Sequence, residues 1–576
     1  MAHHMRPPCT TCRRVGDECA AATDMVGVPV GIHEVRHGGS RPGAKCIDHL
    51  LAAACTRCVK AGETITRAHH HAVAEAFDIG EAVVELPHIG VHAVDRLVDN
   101  TRVDDAITQV KRVRCHAPKL VAACRYTAPA TATQHLLPQR RTRSFAYHRP
   151  RVAERITPYM SARPIRELFP ELSASVDATR LARCQAIVDR FFERTLLTAS
   201  DGLPFVITGD IPAMWLRDST WQVNPFFHSR HPEVGRLLAD VSRAQVRYVL
   251  IDPYANAFNS SANGNCWHKD FPHQSDWVFE RKFELDSLAS VLYLARRVVE
   301  VFGITEHLDA KFHTAVDAII RLALREQHHD PASYVFARSN GVAHDSLSHG
   351  GHGAPVAPTG MVWSGFRPSD DACMYGYQVP SNLFFANELR KLPAVLAAAA
   401  APTSTAPPAA ELCSFANKLA DDIISGVKAH ALSDRGYAYE VDGLGNALHG
   451  DDANVPSLLS LPYLGVCAPD DSAYLATRQR VLSSENPWHF SGTALRGIGS
   501  QHTPPRHVWP IAIAVEAMTS INHIDKLAAI ELLERTDAGT GCMHESVHVD
   551  DPTRFTREWF SWADMTWLDL VLRATR

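Results

Sequence analysis

The chain has 576 residues, of which 46% are hydrophobic, and its net charge at neutral pH is −5. This composition is typical of a globular protein with enough apolar residues for a large core. The small net charge disfavours a nucleic-acid-binding protein, and no apolar run reaches the roughly 18 residues of a membrane span. The first residues, MAHHMRPPCTTCRR, lack the apolar segment of a signal peptide, so we expect a cytoplasmic protein.

Residues 1–160 differ in character from the rest of the chain. They carry 22 Lys and Arg against 15 Asp and Glu, and eight of the 14 cysteines lie before residue 125. Two CxxC pairs, Cys9–Cys12 and Cys55–Cys58, offer four thiolates, but the 42 residues between them exceed the spacing of compact zinc modules. We therefore expect an irregular extension without a zinc site and without an assignable role. It is either disordered or lies upstream of a native start at Met160.

From residue 165 to residue 576 the pattern changes to long amphipathic helices. In residues 285–303 apolar side chains recur every three to four positions, and Gly303 then supplies a helix stop. Period-two alternation is rare and short, which disfavours long strands. The pattern therefore predicts an all-α domain. Its helices are predicted to begin near Val176, Pro232, Phe283, Asp309, Ser381, Ala410, Pro510, Asp525 and Arg557.

The loops between these helices are dense in Trp, Arg, Asp and Gly. A ring of helix pairs would gather such loops at one end, where helix N-termini offer free N–H groups and partial positive charge. Aromatic rings can stack on sugar C–H surfaces and polar side chains can bind hydroxyls, so we expect a carbohydrate pocket at that end. The five loops concerned are residues 208–223, 277–287, 363–382, 450–465 and 497–510.

Glycoside hydrolysis needs one carboxylic acid and a second carboxylate that acts on water or on the anomeric carbon. Asp370 and Asp371 are adjacent and repel each other, so one of them could keep a proton while Arg367 holds the other ionised. Glu545, beside His544, is the candidate base. The alternative interpretations are a helix cap and an ion pair for the two aspartates, and a surface position for the glutamate.

Other polar clusters give weaker indications. Glu280, Glu284 and Asp286 begin a predicted helix beside a lysine and an arginine, a pattern that fits ion pairing as well as catalysis. The chain has 32 histidines but no HEXXH motif, and the histidines of residues 328–360 fall in a predicted irregular loop. We therefore expect neither a catalytic metal nor a cofactor.

The loops resemble those of glycoside hydrolase family 125, the exo-α-1,6-mannosidases. The resemblance covers nearly all of residues 165–576 in the family's order, whereas residues 1–160 have no counterpart. It implies an (α/α)6 barrel, also called a helical toroid, and metal-independent removal of non-reducing terminal α-1,6-linked mannose with inversion. The matching runs are FVITGDIPAMWLRDS, ERKFELDS, TGMVWSGFRPSDDAC, YEVDGLGN, DDANVPSLLSLPYLG, NPW, GIGSQHTPPRHVWPIAIAVEAMTS and HESVHVDDPTRFTREWFSWAD.

The resemblance also implies roles for single residues. The general acid is an aspartate of FRPSDDAC, hence Asp370 or Asp371, and the general base is the glutamate of HES, hence Glu545. Inversion leaves room for a water, which places the two carboxyls about 6.5–9.5 Å apart. Two departures from the family pattern, Trp221 and the pair Trp488–His489, are expected to reshape the pocket rim, which leaves the preferred leaving group open. The terminal mannose subsite is expected to be lined by Arg217, Asp218, Arg367, Asp452, Asn454 and His502.

Three alternatives remain at this stage. Another exo-glycosidase, such as an α-glucosidase, can occupy the same helical toroid, because function lies in the site rather than in the fold. A non-catalytic sugar-binding protein and a zinc-binding regulator acting through residues 1–125 are the other two. The expected partner is a mannose-containing oligosaccharide, such as an N-glycan or a mannan fragment, and the sequence does not specify an oligomeric state.

Overall fold

The computed structural model describes residues 163–330, 332–339, 341–399 and 408–576. The two CxxC pairs and the rest of the N-terminal extension lie outside the described residues, so the interpretations of that extension stay predictions. Within the described ranges, no helix is both long enough and apolar enough to cross a membrane.

The described chain is built mainly from α-helices, and short strands connect them. A π-helical turn at Phe191–Thr195 and a 3-10 turn at Asn224–His228 extend two of the helices. The helices are α1 Ile165–Leu168, α2 Leu172–Ser175, α3 Ala178–Arg190, α4 Leu216–Val223, α5 Pro232–Ile251, α6 Leu285–Phe302, α7 Ala310–Glu326, α8 Ser348–Gly351, α9 Val379–Ala398, α10 Ala409–His430, α11 Ser472–Val481, α12 Pro510–Met518, α13 His523–Arg535 and α14 Ser561–Ala574.

The helices form two concentric layers that alternate along the chain, which is the (α/α)6 barrel. In the inner layer α6 packs on α4 and α9, and α14 packs on α4 and α12. The buried turns of residues 456–464 complete that layer, since the Tyr463 hydroxyl donates to Asp569 of α14 and Asn387 of α9 donates to the Leu464 carbonyl. Helices α3, α5, α7, α10, α11 and α13 form the outer layer.

The barrel centre is filled by aromatic side chains. Trp221 of α4 is almost completely buried and lies 5.0 Å from the Tyr293 ring, 5.9 Å from the Phe384 ring and 5.6 Å from the Tyr463 ring. The expectation that Trp221 shapes the pocket rim is therefore wrong. The residue projects from an inner helix, and its large apolar ring packs against three other inner elements.

Small sheets tie the loops together at one end of the barrel. The strands are β1 Leu196–Thr198, β2 Pro204–Val206, β3 Met214–Trp215, β4 Ala257–Phe258, β5 Val278–Glu280, β6 Tyr377–Gln378, β7 Leu432–Ser433, β8 Gly436–Tyr437, β9 Glu440–Val441, β10 Ala447–Leu448, β11 His489–Ser491, β12 Arg496–Ile498, β13 His507–Val508, β14 Ser546–His548 and β15 Asp551–Thr556. Strands β3, β5, β6 and β13 each precede an inner helix, and β3–β4–β5, β10–β9–β6 and β13–β14–β15 form three antiparallel sheets. The sheet that contains β3 and β5 holds the N-terminal ends of α4 and α6 side by side.

Candidate active site

Arg217, in the first turn of α4, is the centre of a buried carboxylate cluster. Its Nη1 lies 2.5 Å from Glu284 Oε2 and 3.3 Å from Asp286 Oδ2, and its Nη2 lies 2.8 Å from Asp370 Oδ1. Its Nε lies 3.4 Å from Asp218 Oδ1. One guanidinium therefore faces four carboxylates from three of the five loops.

Burial and mutual repulsion determine which members of this cluster hold protons. Burial raises the pKa of Asp218 to about 6, although Arg217 opposes the shift. Burial likewise raises the pKa of Asp286 to about 6, and it raises that of Glu284 well above the usual range. The pKa of Asp370 moves the other way, because Arg217 and a hydrogen bond from Glu284 outweigh burial. The two opposite shifts therefore favour a proton on Glu284 over one on Asp370.

The backbone holds Asp370 in an unusual conformation. Its φ of 65° lies in the left-handed region, which non-glycine residues adopt rarely, although aspartate enters it more readily than most. The Lys282 ammonium donates to the Asp370 carbonyl at 2.7 Å and to Asp345 Oδ1 at 2.7 Å. The Asp370 side chain keeps 22% of its surface exposed, so a ligand at this end of the barrel can reach it.

Asp371 lies in a different environment from its neighbour. Its side chain is completely buried, and its Oδ1 lies 2.8 Å from His344 Nδ1 and 3.1 Å from His502 Nδ1. Burial opposes ionisation, but the two histidines lower the Asp371 pKa to about 2. The pKa of His502 rises to about 9, because Asp371, together with Glu545 and Asp370, outweighs burial. Near neutrality Asp371 is therefore ionised and His502 is protonated.

The same three groups have the composition of a metal site. Ligand-type atoms of His344, Asp371 and His502 lie within 4.8 Å of one another. Two imidazoles and a carboxylate can hold a divalent transition metal. Both histidine Nδ1 atoms already contact the Asp371 carboxylate, so we assign them to positioning that aspartate.

Arg367 does not pair with either aspartate, contrary to the sequence-based expectation. Its Nε lies 2.5 Å from Glu440 Oε1, and both side chains are buried. Glu440 Oε2 in turn accepts the backbone N–H groups of Met374 and Tyr375 at 2.8 and 3.0 Å. The pair therefore anchors the FRPSDDAC loop, and other groups hold the aspartates ionised. The contact of Arg367 with mannose stays a prediction. The buried Nη1 of Arg367 has no hydrogen-bond partner among the described residues and would be the donor to the sugar.

Asp452 joins three of the five loops. Its Oδ2 accepts the Ser500 hydroxyl at 2.8 Å and the Ser369 hydroxyl at 3.2 Å. Its Oδ1 accepts the Asn454 side-chain amide at 3.3 Å. Burial raises the pKa of Asp452, and the neighbouring charge of Asp371 adds to the shift. The two predicted subsite residues of this loop therefore lie beside the Asp370–Asp371 loop.

Glu545 directly precedes β14, and its N–H donates to the Thr556 carbonyl at 3.2 Å. Its Oε1 lies 3.3 Å from Arg557 Nη1. Arg557 also pairs with Asp210 and donates to the Thr208 carbonyl at 3.3 Å, which ties the glutamate to the loop before α4. The candidate base is thus a buried, charge-paired residue, and the surface interpretation is wrong.

The structure brings the predicted residues to one end of the barrel. One cluster contains Arg217, Asp218 and Asp370. His502 contacts Asp371 and interacts electrostatically with Glu545, which places the candidate base near both aspartates. Sequence reasoning left Glu284 and its neighbour Lys282 undecided between ion pairing and catalysis, and it missed two positioning residues, His344 and Glu440. Glu440 lies in YEVDGLGN, one of the quoted motifs, whereas nothing in the local sequence distinguishes His344.

Residues 181–572 match the model of the family described as metal-independent α-mannosidase (GH125). This chain belongs to glycoside hydrolase family 125. The GH125 chain is 38% identical over 395 residues to the meiotically up-regulated gene 157 protein of Schizosaccharomyces pombe, a match covering 64% of this chain and 76% of that protein. The family resemblance seen in the sequence is thereby confirmed, and the protein is a glycoside hydrolase of the α-mannosidase type.

A solved structure of a relative supports the family assignment and shows the same fold. It is a metal-independent α-mannosidase of Streptococcus pneumoniae, in a non-productive substrate complex with α-1,6-mannobiose. The two chains are 40% identical and superpose with a TM-score of 0.67, a match that covers 70% of this chain and 96% of that one. The (α/α)6 barrel predicted from the family resemblance is confirmed.

Proposed function

We propose that this GH125 protein is an inverting exo-α-mannosidase that removes non-reducing terminal α-1,6-linked mannose. The observation that carries the proposal is that both carboxylate motifs of the family are intact and fold to the same end of the barrel. The S. pneumoniae relative, solved with α-1,6-mannobiose, supports the choice of linkage. The proposed subsite for the terminal mannose consists of Arg217, Asp218, Arg367, Asp452, Asn454 and His502.

We assign the general acid to Asp370 rather than to Asp371. Two histidines hold the pKa of Asp371 at about 2, so that residue carries no proton near neutrality. Asp370 is partly exposed and shares the Arg217 guanidinium with Glu284, whose pKa lies well above its usual range. Because Arg217 lowers the pKa of Asp370, the proton that Asp370 gives must come from a neighbouring group such as Glu284, and Asp371 serves to hold His502 protonated.

The proposed reaction is a single displacement. Asp370 protonates the glycosidic oxygen while the bond from C1 to that oxygen breaks, and a water attacks C1 from the opposite face. Glu545 accepts the proton that the water loses. Arg557 Nη1 lies 3.3 Å from Glu545 Oε1 and holds the carboxylate in position. The product is mannose of inverted, β configuration.

The proposal is tested by measuring mannose release from α-1,6-mannobiose and from its α-1,2 and α-1,3 isomers, with EDTA present. We expect selective cleavage of the α-1,6 isomer that survives EDTA and is lost in Glu545→Gln. Glu411→Gln, on the exposed face of α10, is the matched control and should retain full activity. Absence of cleavage by a well-folded protein would contradict the proposal, and preference for an aryl α-glucoside would favour the α-glucosidase alternative.

The biological setting is also a proposal. We propose a cytoplasmic enzyme that acts on mannose-containing oligosaccharides derived from N-glycans or mannans. The six cysteines of the described residues are all free thiols, which fits a reducing compartment. Subcellular fractionation would test the location, and release of mannose from a high-mannose glycan would test the substrate.

A further inference from the structure

The Arg217 cluster contains more buried negative groups than the cations beside it can neutralise. Four carboxylates lie within 3.4 Å of its guanidinium, and the side chains of Glu284 and Asp286 are completely buried. The other cations that act on the cluster each pair with a carboxylate outside it: Lys282 with Asp345 at 2.7 Å, Arg557 with Glu545 at 3.3 Å and with Asp210, and His502 with Asp371 at 3.1 Å. A buried carboxylate without a counter-charge takes up a proton instead. The cluster therefore carries at least one proton at neutral pH.

Glu284 is the member placed to pass a proton to the proposed acid. Its Oε2 lies 2.5 Å from Arg217 Nη1 and accepts the Ser287 hydroxyl at 3.0 Å, while its Oε1 accepts the Asn256 amide at 3.0 Å. Glu284 Oε2 and Asp370 Oδ1 contact the two terminal nitrogens of the same guanidinium, at 2.5 and 2.8 Å, so the two carboxyl groups are neighbours on one network. Neighbouring carboxyl groups hydrogen-bond to each other only when one of them is protonated. The interaction with Asp370 contributes to the raised pKa of Glu284.

Asp370 alone is poorly suited to supply a proton. Arg217 Nη2 lies 2.8 Å from its Oδ1 and stabilises the ionised form, whereas a general acid must be protonated when the glycosidic bond breaks. We propose that Glu284 is a positioning residue that supplies Asp370 with its proton and thereby sets the alkaline limit of activity. This inference rests on the proposed mannosidase function.

The proton transfers balance over one turnover. Substrate covers the exposed edge of Asp370, which removes the water that stabilises its charge, and the proton passes from Glu284 to Asp370. Asp370 gives that proton to the glycosidic oxygen as the bond to C1 breaks, and the leaving group departs as an alcohol. Water adds to C1 and loses a proton to Glu545. Solvent then takes the proton from Glu545 and returns one to Glu284.

The pH dependence of kcat/KM for α-1,6-mannobiose in Glu284→Gln tests this role. Glutamine keeps the shape of the side chain and can still accept from Asn256, but it has no proton to give. We expect the alkaline limb to move to lower pH by about one unit, and kcat to fall roughly tenfold or more at neutral pH while KM changes little. Glu284→Asp, which keeps a carboxyl group, should partly restore the limb. A Glu284→Gln enzyme with the parent pH profile and rate would overturn the inference.

A substrate with an activated leaving group separates proton supply from structural damage. 2,4-Dinitrophenyl α-mannoside needs no protonation of its leaving group, so Glu284→Gln should cleave it at close to the parent rate. Equal slowing of this substrate and of mannobiose would show a structural role and refute the inference. Failure of the unchanged protein on both substrates would refute the proposed function instead. Glu388→Gln, which breaks the buried pair with Arg296 between α9 and α6, is the matched control and should leave the pH profile unchanged.

Discussion

Replacing Glu440 by glutamine would leave the buried guanidinium of Arg367 without a counter-charge. The glutamine carbonyl oxygen can still accept from Arg367 Nε, where the carboxylate now lies at 2.5 Å. Its amide group would then face the backbone N–H groups of Met374 and Tyr375, which Glu440 accepts at 2.8 and 3.0 Å. Donor would face donor, so the loop that carries both aspartates would lose its anchor.

The expected cost follows from the burial of the pair. Arg367 exposes 1% of its side chain and Glu440 exposes none. Removing one partner of a buried ion pair costs about 3–5 kcal/mol, because a charge remains buried and unpaired. The orphaned backbone donors act on the same loop, so their cost overlaps with this range rather than adding to it. We therefore expect Glu440→Gln to lower the free energy of unfolding by about 3–5 kcal/mol.

Denaturant unfolding, followed by circular dichroism, measures this loss, and mannose release measured on the same samples reports the state of the loop. Asp421→Asn breaks an exposed pair with Arg390 and serves as the control, which should unfold like the parent because exposed ion pairs contribute little. A Glu440→Gln protein that unfolds at the parent denaturant concentration and retains full activity would refute the view that this pair anchors the loop.

Three further predictions concern pH, packing and the choice of acid. The pKa of His502 is raised to about 9, so protonation of His502 stabilises the folded state fully at pH values below the ordinary histidine pKa, and this stabilisation is lost as the pH rises through 9. His502→Gln should remove this loss from the pH dependence of Tm. An equal decrease of Tm with pH in both proteins would contradict the prediction. Trp221→Ala should lower the free energy of unfolding by about 3–5 kcal/mol in denaturant unfolding, and a loss below about 1 kcal/mol would show that the ring is not a core residue. Asp370→Asn should abolish cleavage of α-1,6-mannobiose yet spare 2,4-dinitrophenyl α-mannoside, whereas Asp371→Asn should slow both; the reverse pattern would assign the acid to Asp371.

Helix positions were predictable where the sequence carries local signals. Helices α5 and α12 begin at Pro232 and Pro510 as predicted, because proline suits the first turn of a helix. Gly303 ends α6 with a φ of 68°, again as predicted. Helix α4 was not predicted, because all of its residues are buried and it therefore has no polar face to create an amphipathic pattern.

The site was predictable in its residues but not in its pairings. The motifs pointed to Asp370 or Asp371 as the acid, and the family resemblance pointed to Glu545 as the base. The partner of Arg367 could not be inferred, since Glu440 lies 73 positions further along the chain and meets it only through the closure of the barrel. The same applies to His344, whose contact with Asp371 depends on how the irregular loop between α7 and α9 folds back.

The anomeric form of the first mannose released tests the proposed mechanism most directly. Proton NMR of α-1,6-mannobiose during hydrolysis distinguishes the two anomers before mutarotation mixes them. With Asp370 as the acid and Glu545 activating water, we expect β-mannopyranose to appear first and the α anomer to follow by mutarotation. If α-mannopyranose appears first, the reaction retains configuration, and the assignment of Glu545 as a general base is wrong.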